Sequence, residues 1–244
     1  MTMEKIYSKE MDVAYYLTNH KSQLKAANML RIFTDVSFYQ GDLVDHRLEA
    51  DFDFFWVLYR WHVKIHRFPK THERINVSTW ARNFKKFYAY RGFDMVDSQG
   101  QVLVEAETTW FMLNKDTGRL ARFPENIDQE YGNSKKGIAA GKKILRQVER
   151  VDLEKDLEVE NNDLDLNRHV NNAVYMDWIL NSLDMDFLEK HDLSLMDIIY
   201  KKELTLGQKV KLVMELNYLD DRVELLANIK EGKDIFTYIY LVFK

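Results

Sequence analysis

Twice along this chain, apolar residues recur at helical spacing and then alternate through several further stretches. This repeat constrains the fold more than any other feature. In the first half, Leu24 to Tyr39 carries Ala27, Leu30, Phe33 or Thr34, and Ser37 or Phe38 at helical spacing, and Gly41 follows as a natural stop. Met3 to Ala14 ahead of it reads as a strand, and Gly41 to Asp53 reads as irregular. From Tyr59 the alternation is clean. Tyr59, Trp61, Val63 and Ile65 fall on one face, Arg60, His62, Lys64 and His66 on the other, and Pro69 ends the run. Arg74–Asn83, Phe87–Val96 and Val102–Leu113 continue the strand signal, with turn chemistry at Asp97–Gly100 and Asn114–Gly118.

The second half repeats the order. Val148–Val159 is extended and Asn172–Phe187 is helical. Asp197–Leu204, Gln208–Tyr218, Arg222–Lys230 and Ile235–Phe243 read as strands. Two units of strand, long helix and antiparallel strands predict a duplicated α+β fold. The expected division is 1–125, a polar connection over 126–146, and 147–244.

Composition narrows the function. With 46% hydrophobic residues, nine Gly and two Pro, the chain builds a sizeable core with short loops. A net charge of −4 gives no pull toward nucleic acid or an anionic membrane. Cysteine is absent, which excludes disulfides, thiolate nucleophiles and Cys-based metal sites. His62 and His66 share a polar face, but Lys64 between them repels a cation and no third ligand is evident, so no metal is expected. Lys85, Lys86, Lys135, Lys136, Lys142 and Lys143 read as surface solubility, attractive to an acidic protein. No apolar run approaches membrane-spanning length, and Met1–Glu10 resembles neither a signal peptide nor a transit peptide. The expectation is a cytoplasmic protein with no nucleic-acid or membrane partner.

The chemistry concentrates between Asp163 and Leu183. Asp165, Asn167 and His169 sit at every second position, so an extended backbone would put an acid, an amide and an imidazole on one face. The period then changes to helical, with Asn171 or Asn172 placed to cap. Backbone N–H groups over 170–172 are candidates to polarise a developing oxyanion. In the first half the matching position reads Leu17, Thr18, Asn19, His20, without the Asp and without an Asn two residues before the His, so the chemistry is expected in the second half.

The run Asp165-x-Asn167-x-His169-x-Asn171-Asn172, followed by an aromatic-rich helix, resembles the active-site segment of acyl-acyl carrier protein thioesterases. Tyr200, Lys201, Lys202 and Glu203 resemble that family's Tyr-basic-basic-Glu strand. Arg60, Arg67, Phe68 and Pro69, and the run from Thr109 to Arg119 with Trp110, Met112, Asn114 and Thr117, extend the match from about Met11 to the end. The resemblance implies a tandem hotdog, each half a long helix wrapped by a curved antiparallel sheet. It places the acyl chain against the first half and catalysis in the second. It implies hydrolysis of a fatty acyl-acyl carrier protein by carboxylate-assisted water attack. Asp165, Asn167, His169 and Glu203 would be catalytic, and Asn171, Asn172 and Trp110 would bind substrate. No metal or organic cofactor is implied; the partner is an acyl carrier protein, and the chain is a monomer or a homodimer. Plant members carry a Cys directly after the glutamate; here it is Leu204, which excludes a covalent thiol route. The rival readings are an acyl-coenzyme A thioesterase and a non-catalytic protein that binds acyl thioesters.

Overall fold

The computed structural model describes residues 5–244. The chain forms two compact units, residues up to 25 with 31–140, and residues 26–30 with 141–244. In chain order, β1 (Ile6–Asp12) leads through a 3-10 turn (Tyr15–Leu17) into α1 (Ala26–Val44), which belongs to the first unit from Arg31 onward. Strands β2 (Phe54–Ile65), β3 (Arg74–Lys85), β4 (Tyr88–Asp97) and β5 (Val102–Asn114) follow, then the short α2 (Ile127–Tyr131). The strands of the first unit are antiparallel in the order β1-β3-β4-β5-β2. The second unit has β6 (Leu153–Glu158), a 3-10 turn (Asn161–Asp163), α3 (Val174–Leu180), α4 (Met185–Lys190), β7 (Leu193–Tyr200), β8 (Lys209–Tyr218), β9 (Val223–Glu231) and β10 (Asp234–Phe243). Its antiparallel order is β6-β8-β9-β10-β7. The two orders are the same, since in each unit the first strand lies beside the third and the second lies at the other end. The duplicated α+β architecture is therefore present. Of the strand expected over Met3–Ala14, Met3 and Glu4 lie outside the described residues.

Local physics sets the details. Phe33 of α1 stacks on Trp61 and Phe93, with ring centroids 5.9 and 5.0 Å away, and all three are fully buried. Each such aromatic contributes roughly 1.5–3 kcal/mol by leaving water. Gly41 does not stop α1. The helix continues to Val44, and the N–H of Asp45 still reaches the Gly41 carbonyl. The bare Cα of Gly41 faces the Asp45 carboxylate and the Tyr131 hydroxyl, which hydrogen-bond to each other.

The alternation of β2 is interrupted by a bulge between Leu58 and Arg60. Trp61 therefore packs with Phe33 and Phe93, while Tyr59 packs with Tyr88 and Phe111, not with the Trp61 face. The start of the expected 126–146 connection is ordered against the first sheet. Ser134 donates to the Ala81 carbonyl at 2.9 Å, Trp80 Nε1 to the Lys136 carbonyl at 3.1 Å, and the Ala140 N–H to Glu107 Oε1 at 2.9 Å. Lys136 is engaged by the buried Asp94 carboxylate at 2.6 Å, so it is not simply a solvated lysine.

In the second unit the helix expected over Asn172–Phe187 is two short pieces. Ser182 Oγ bonds back to the Trp178 carbonyl at 2.7 Å, and Asp184 adopts an extended backbone, so the first piece ends and a second begins. The strand expected over Asp197–Leu204 is displaced: β7 begins at Leu193 and ends at Tyr200. Glu203 therefore lies in the connection to β8, not on a strand.

Candidate active site

The residues singled out between Asp163 and Asn172 do not form an extended face. Arg168 has φ of 64° and the chain turns back on itself, with the Asp165 N–H donating to the His169 carbonyl at 2.8 Å. The Asp165 side chain holds this turn from inside. Its Oδ1 accepts the backbone N–H of Asn167 at 2.8 Å and of His169 at 3.3 Å, which is the local bonding that Asp favours in turns. Asn167 is exposed near the tip, beside a fully exposed Leu166, and His169 is half-buried.

Two further ties seat the turn. The Val170 N–H donates to the Leu204 carbonyl at 2.9 Å, and His169 bridges Thr205. These ties lay His169 alongside the segment that carries Glu203, and His169 Nε2 stands 3.3 Å from Glu203 Oε2. The side chains are 35% and 54% exposed, so the pair adds little to stability and its value is positional. Leu204, one residue on, is completely buried. A side chain at that position belongs to the core and not to the surface that Glu203 shares with His169.

Neither Asn171 nor Asn172 caps the helix: α3 starts at Val174 with Ala173 at its N-cap and no side-chain cap, and Asn171 closes a local turn just ahead of it. Asn171 Oδ1 accepts the Ala173 N–H at 2.9 Å, and its carbonyl accepts the Val174 N–H at 2.9 Å. The Asn172 carbonyl accepts the Tyr200 hydroxyl at 2.6 Å. Of the three N–H groups expected to polarise an oxyanion, that of Val170 donates to Leu204 and that of Asn171 to the Asp163 carbonyl at 2.8 Å. They are already engaged, which leaves Asn172 as the candidate among the described residues. Trp110 lies in the first unit, buried on β5, with its indole N–H on Thr108 Oγ1 at 2.7 Å.

Two tyrosines were not picked out as site residues. Tyr200 and Tyr175 meet edge-on, with ring centroids 5.2 Å apart. Burial pushes both phenols well above their ordinary range, and the Glu203 carboxylate raises that of Tyr175 further. Both are therefore neutral, and Tyr200 donates to the Asn172 carbonyl and holds it in place. The sequence signal for Tyr200 is the Tyr-Lys-Lys-Glu run itself. A turn with an amide at its tip, an imidazole and a carboxylate in contact, and no thiol can orient a water and remove its proton.

Residues 4–131 match the family model described as the acyl-ACP thioesterase N-terminal domain, and residues 146–240 match its C-terminal domain. The palmitoyl-acyl carrier protein thioesterase of Gossypium hirsutum is 32% identical over 184 residues, which cover 72% of this chain and 44% of that protein. The chain thus spans less than half the length of that curated relative. Two solved structures share the fold. The acyl-ACP thioesterase of Bacteroides thetaiotaomicron aligns with a TM-score of 0.83 at 19% identity, covering 98% of both chains. The 12:0-ACP thioesterase of Umbellularia californica aligns with a TM-score of 0.86 at 18% identity, covering 98% of this chain and 94% of that one. The fold is the tandem hotdog that the resemblance implies, built on the duplicated α+β order that the repeat of elements predicts.

Proposed function

Because the chain belongs to the acyl-ACP thioesterase family, we propose that it hydrolyses the thioester of a fatty acyl-acyl carrier protein, releasing a free fatty acid and the carrier thiol. The observation that carries the site assignment is the 3.3 Å contact between His169 and Glu203 beside the Asn167 turn. In this reading the Asn167 amide and the His169 imidazole position a water. One of two carboxylates, Asp165 or Glu203, takes its proton as the water oxygen bonds to the thioester carbonyl carbon. The Asn172 N–H, with Asn171 holding the backbone beside it, faces the developing oxyanion. Collapse of the adduct breaks the carbon–sulfur bond, and the carrier thiol leaves with a proton. The first unit is proposed to hold the acyl chain, with Trp110 among the residues that line it. The carrier protein is the proposed partner and the cytoplasm the proposed setting.

Single-turnover hydrolysis of a panel of acyl-carrier thioesters, by wild type beside Glu203→Gln, tests this reading. Wild type is expected to cleave, and the variant to lose about 10²–10⁴-fold without a change in thermal unfolding. Cleavage of matched coenzyme A thioesters but of no carrier thioester would reassign the substrate. Tight binding without turnover of either would make the chain a binding protein.

A further inference from the structure

In the first unit, β3 gains one residue against β4. Ala81 pairs with Arg91 and Asn83 with Tyr90, which leaves Arg82 as the extra residue of a bulge. A bulge re-aims the side chain it carries. The Arg82 side chain is 14% exposed, and its Nη1 donates both to Glu107 Oε2 on β5 and to the Ile138 carbonyl. Glu107 Oε1 accepts the Ala140 N–H at 2.9 Å, and the Trp80 indole donates to the Lys136 carbonyl at 3.1 Å. The chain over 134–140 is thereby strapped across β3 and β5. A cavity of about 400 Å³ remains beside the strap.

Three cations stand on the wall of this cavity, Arg82, Lys85 and Lys135, against one carboxylate, Glu107. Glu107 is already bound through both oxygens, by Arg82 and by the Ala140 N–H. Lys85 and Lys135 are exposed and form no ion pair among the described residues. Arg82 is itself incompletely satisfied, because its Nε is buried and has no hydrogen-bond partner. Nε and Nη2 form one edge of a guanidinium, the edge that takes two oxygens of a carboxylate or phosphate side by side. Nη1, at the other end, is spent on the strap. A buried donor without an acceptor calls for an ion or a water beside it.

Charge and size choose among the oxyanions. The excess of two positive charges matches a phosphate group, which carries about −1.5 to −2 at pH 7, better than it matches a monocarboxylate. The volume falls at the small end of the roughly 300–1,000 Å³ of small-molecule sites. Ala139 is the only aliphatic residue on the described wall, while Asn83 and Tyr90 bring an amide and a phenol, so the cavity does not suit an acyl chain. We propose that this cavity binds a phosphate dianion, free or as the monoester of a small polar molecule, through Arg82, Lys85 and Lys135. This goes beyond thioester hydrolysis and is tested without any thioester.

Isothermal titration of the full chain with inorganic phosphate, glycerol 3-phosphate and acetate, at constant ionic strength, provides the test. Wild type is expected to bind phosphate saturably with Kd below about 1 mM, and acetate at least about tenfold more weakly. Tighter binding of glycerol 3-phosphate than of inorganic phosphate assigns the site to monoesters; equal or weaker binding assigns it to the free ion. Lys85→Gln combined with Lys135→Gln is expected to weaken phosphate about tenfold or more with thermal unfolding unchanged. These lysines, unlike Arg82, hold no part of the fold. Lys86→Gln, next in the chain but not on the wall, is expected to leave binding as it is. No saturable phosphate binding up to about 10 mM would overturn the proposal. So would acetate binding as tight as phosphate, or an affinity that survives the double substitution. An equal loss in Lys86→Gln would overturn it too, because the attraction would then belong to the surface at large.

Discussion

Leu204 shows how much a single position decides. Its side chain is fully buried while its carbonyl anchors Val170, so it serves the core and the turn of the candidate site at once. A thiol placed there would sit among apolar neighbours, where the thiolate is disfavoured. Leu204→Cys is expected to keep the proposed hydrolysis, to resist alkylation until the protein unfolds, and to lower stability. Truncation to Ala is the more severe case, at about 2–5 kcal/mol. Thiol labelling in the folded and unfolded states checks it. At this scale the sequence was readable where chemistry depends on residue type. Asp165, Asn167, His169 and Glu203 could be named, and His169 and Glu203 do meet. It was less readable where geometry depends on backbone. Arg168 has no residue-type signal for a left-handed φ, so the strict alternation of 165, 167 and 169 read as extended. The same blindness matched His20 with His169, although the turn register aligns Gln23, whose carbonyl accepts the Asn19 N–H as that of His169 accepts the Asp165 N–H.

Among the elements, β3 and β4 show packing that single-strand patterns do not carry. Gly92 on β4 lies under the Trp80 ring, and a Cβ there would stand 2.5 Å from ring atoms. Trp80 is fully buried, with its indole N–H held by the Lys136 carbonyl, so it has little room to withdraw. Gly92→Ala is expected to lower stability by about 1–3 kcal/mol through overpacking, read as a fall in denaturation midpoint. Strand existence was legible from alternation, because a half-buried sheet imposes a period of two. Strand ends were not. Whether the chain over 193–204 pairs early or late depends on its partner β10, whose Phe236 carbonyl takes the N–H groups of both Lys201 and Lys202 just after β7 ends. The helix over 172–187 has one apolar period but two pieces, because Ser182 bonds back to the Trp178 carbonyl and Asp184 adopts an extended backbone.

On the scale of the whole molecule, buried phenols set the alkaline limit. Tyr131 in the first unit and Tyr175 and Tyr200 in the second are all raised by burial above the ordinary 10.0. The folded state therefore holds these protons more tightly than the unfolded chain does. Their contribution to stability is intact below 10.0 and falls as pH rises beyond it. Unfolding in denaturant followed from pH 8 to 12 is expected to show a midpoint that is flat up to about 10 and declines above it. Tyrosinate absorbance should appear together with unfolding, not before it. The doubling of the fold was legible because the order of elements repeats, and the identical strand orders of the two units are the strongest form of that repeat.

The strand orders also bear on the chain as it is being made. β1 pairs with β3, Ile6 beside Trp80 and Asp12 beside Arg74, so its pairing is not complete until the chain has grown to residue 80. β6 repeats the situation, with Leu153 beside Met214 and Glu158 beside Lys209. For that interval each is a bare edge, the kind of segment that invites pairing with a neighbouring chain. Their sequences, Ile-Tyr-Ser-Lys-Glu-Met-Asp and Leu-Glu-Lys-Asp-Leu-Glu, are dense in charge and hold almost no buried residues in the finished sheets. The two strands that wait longest for a partner are the ones a ribosome can release into water without harm.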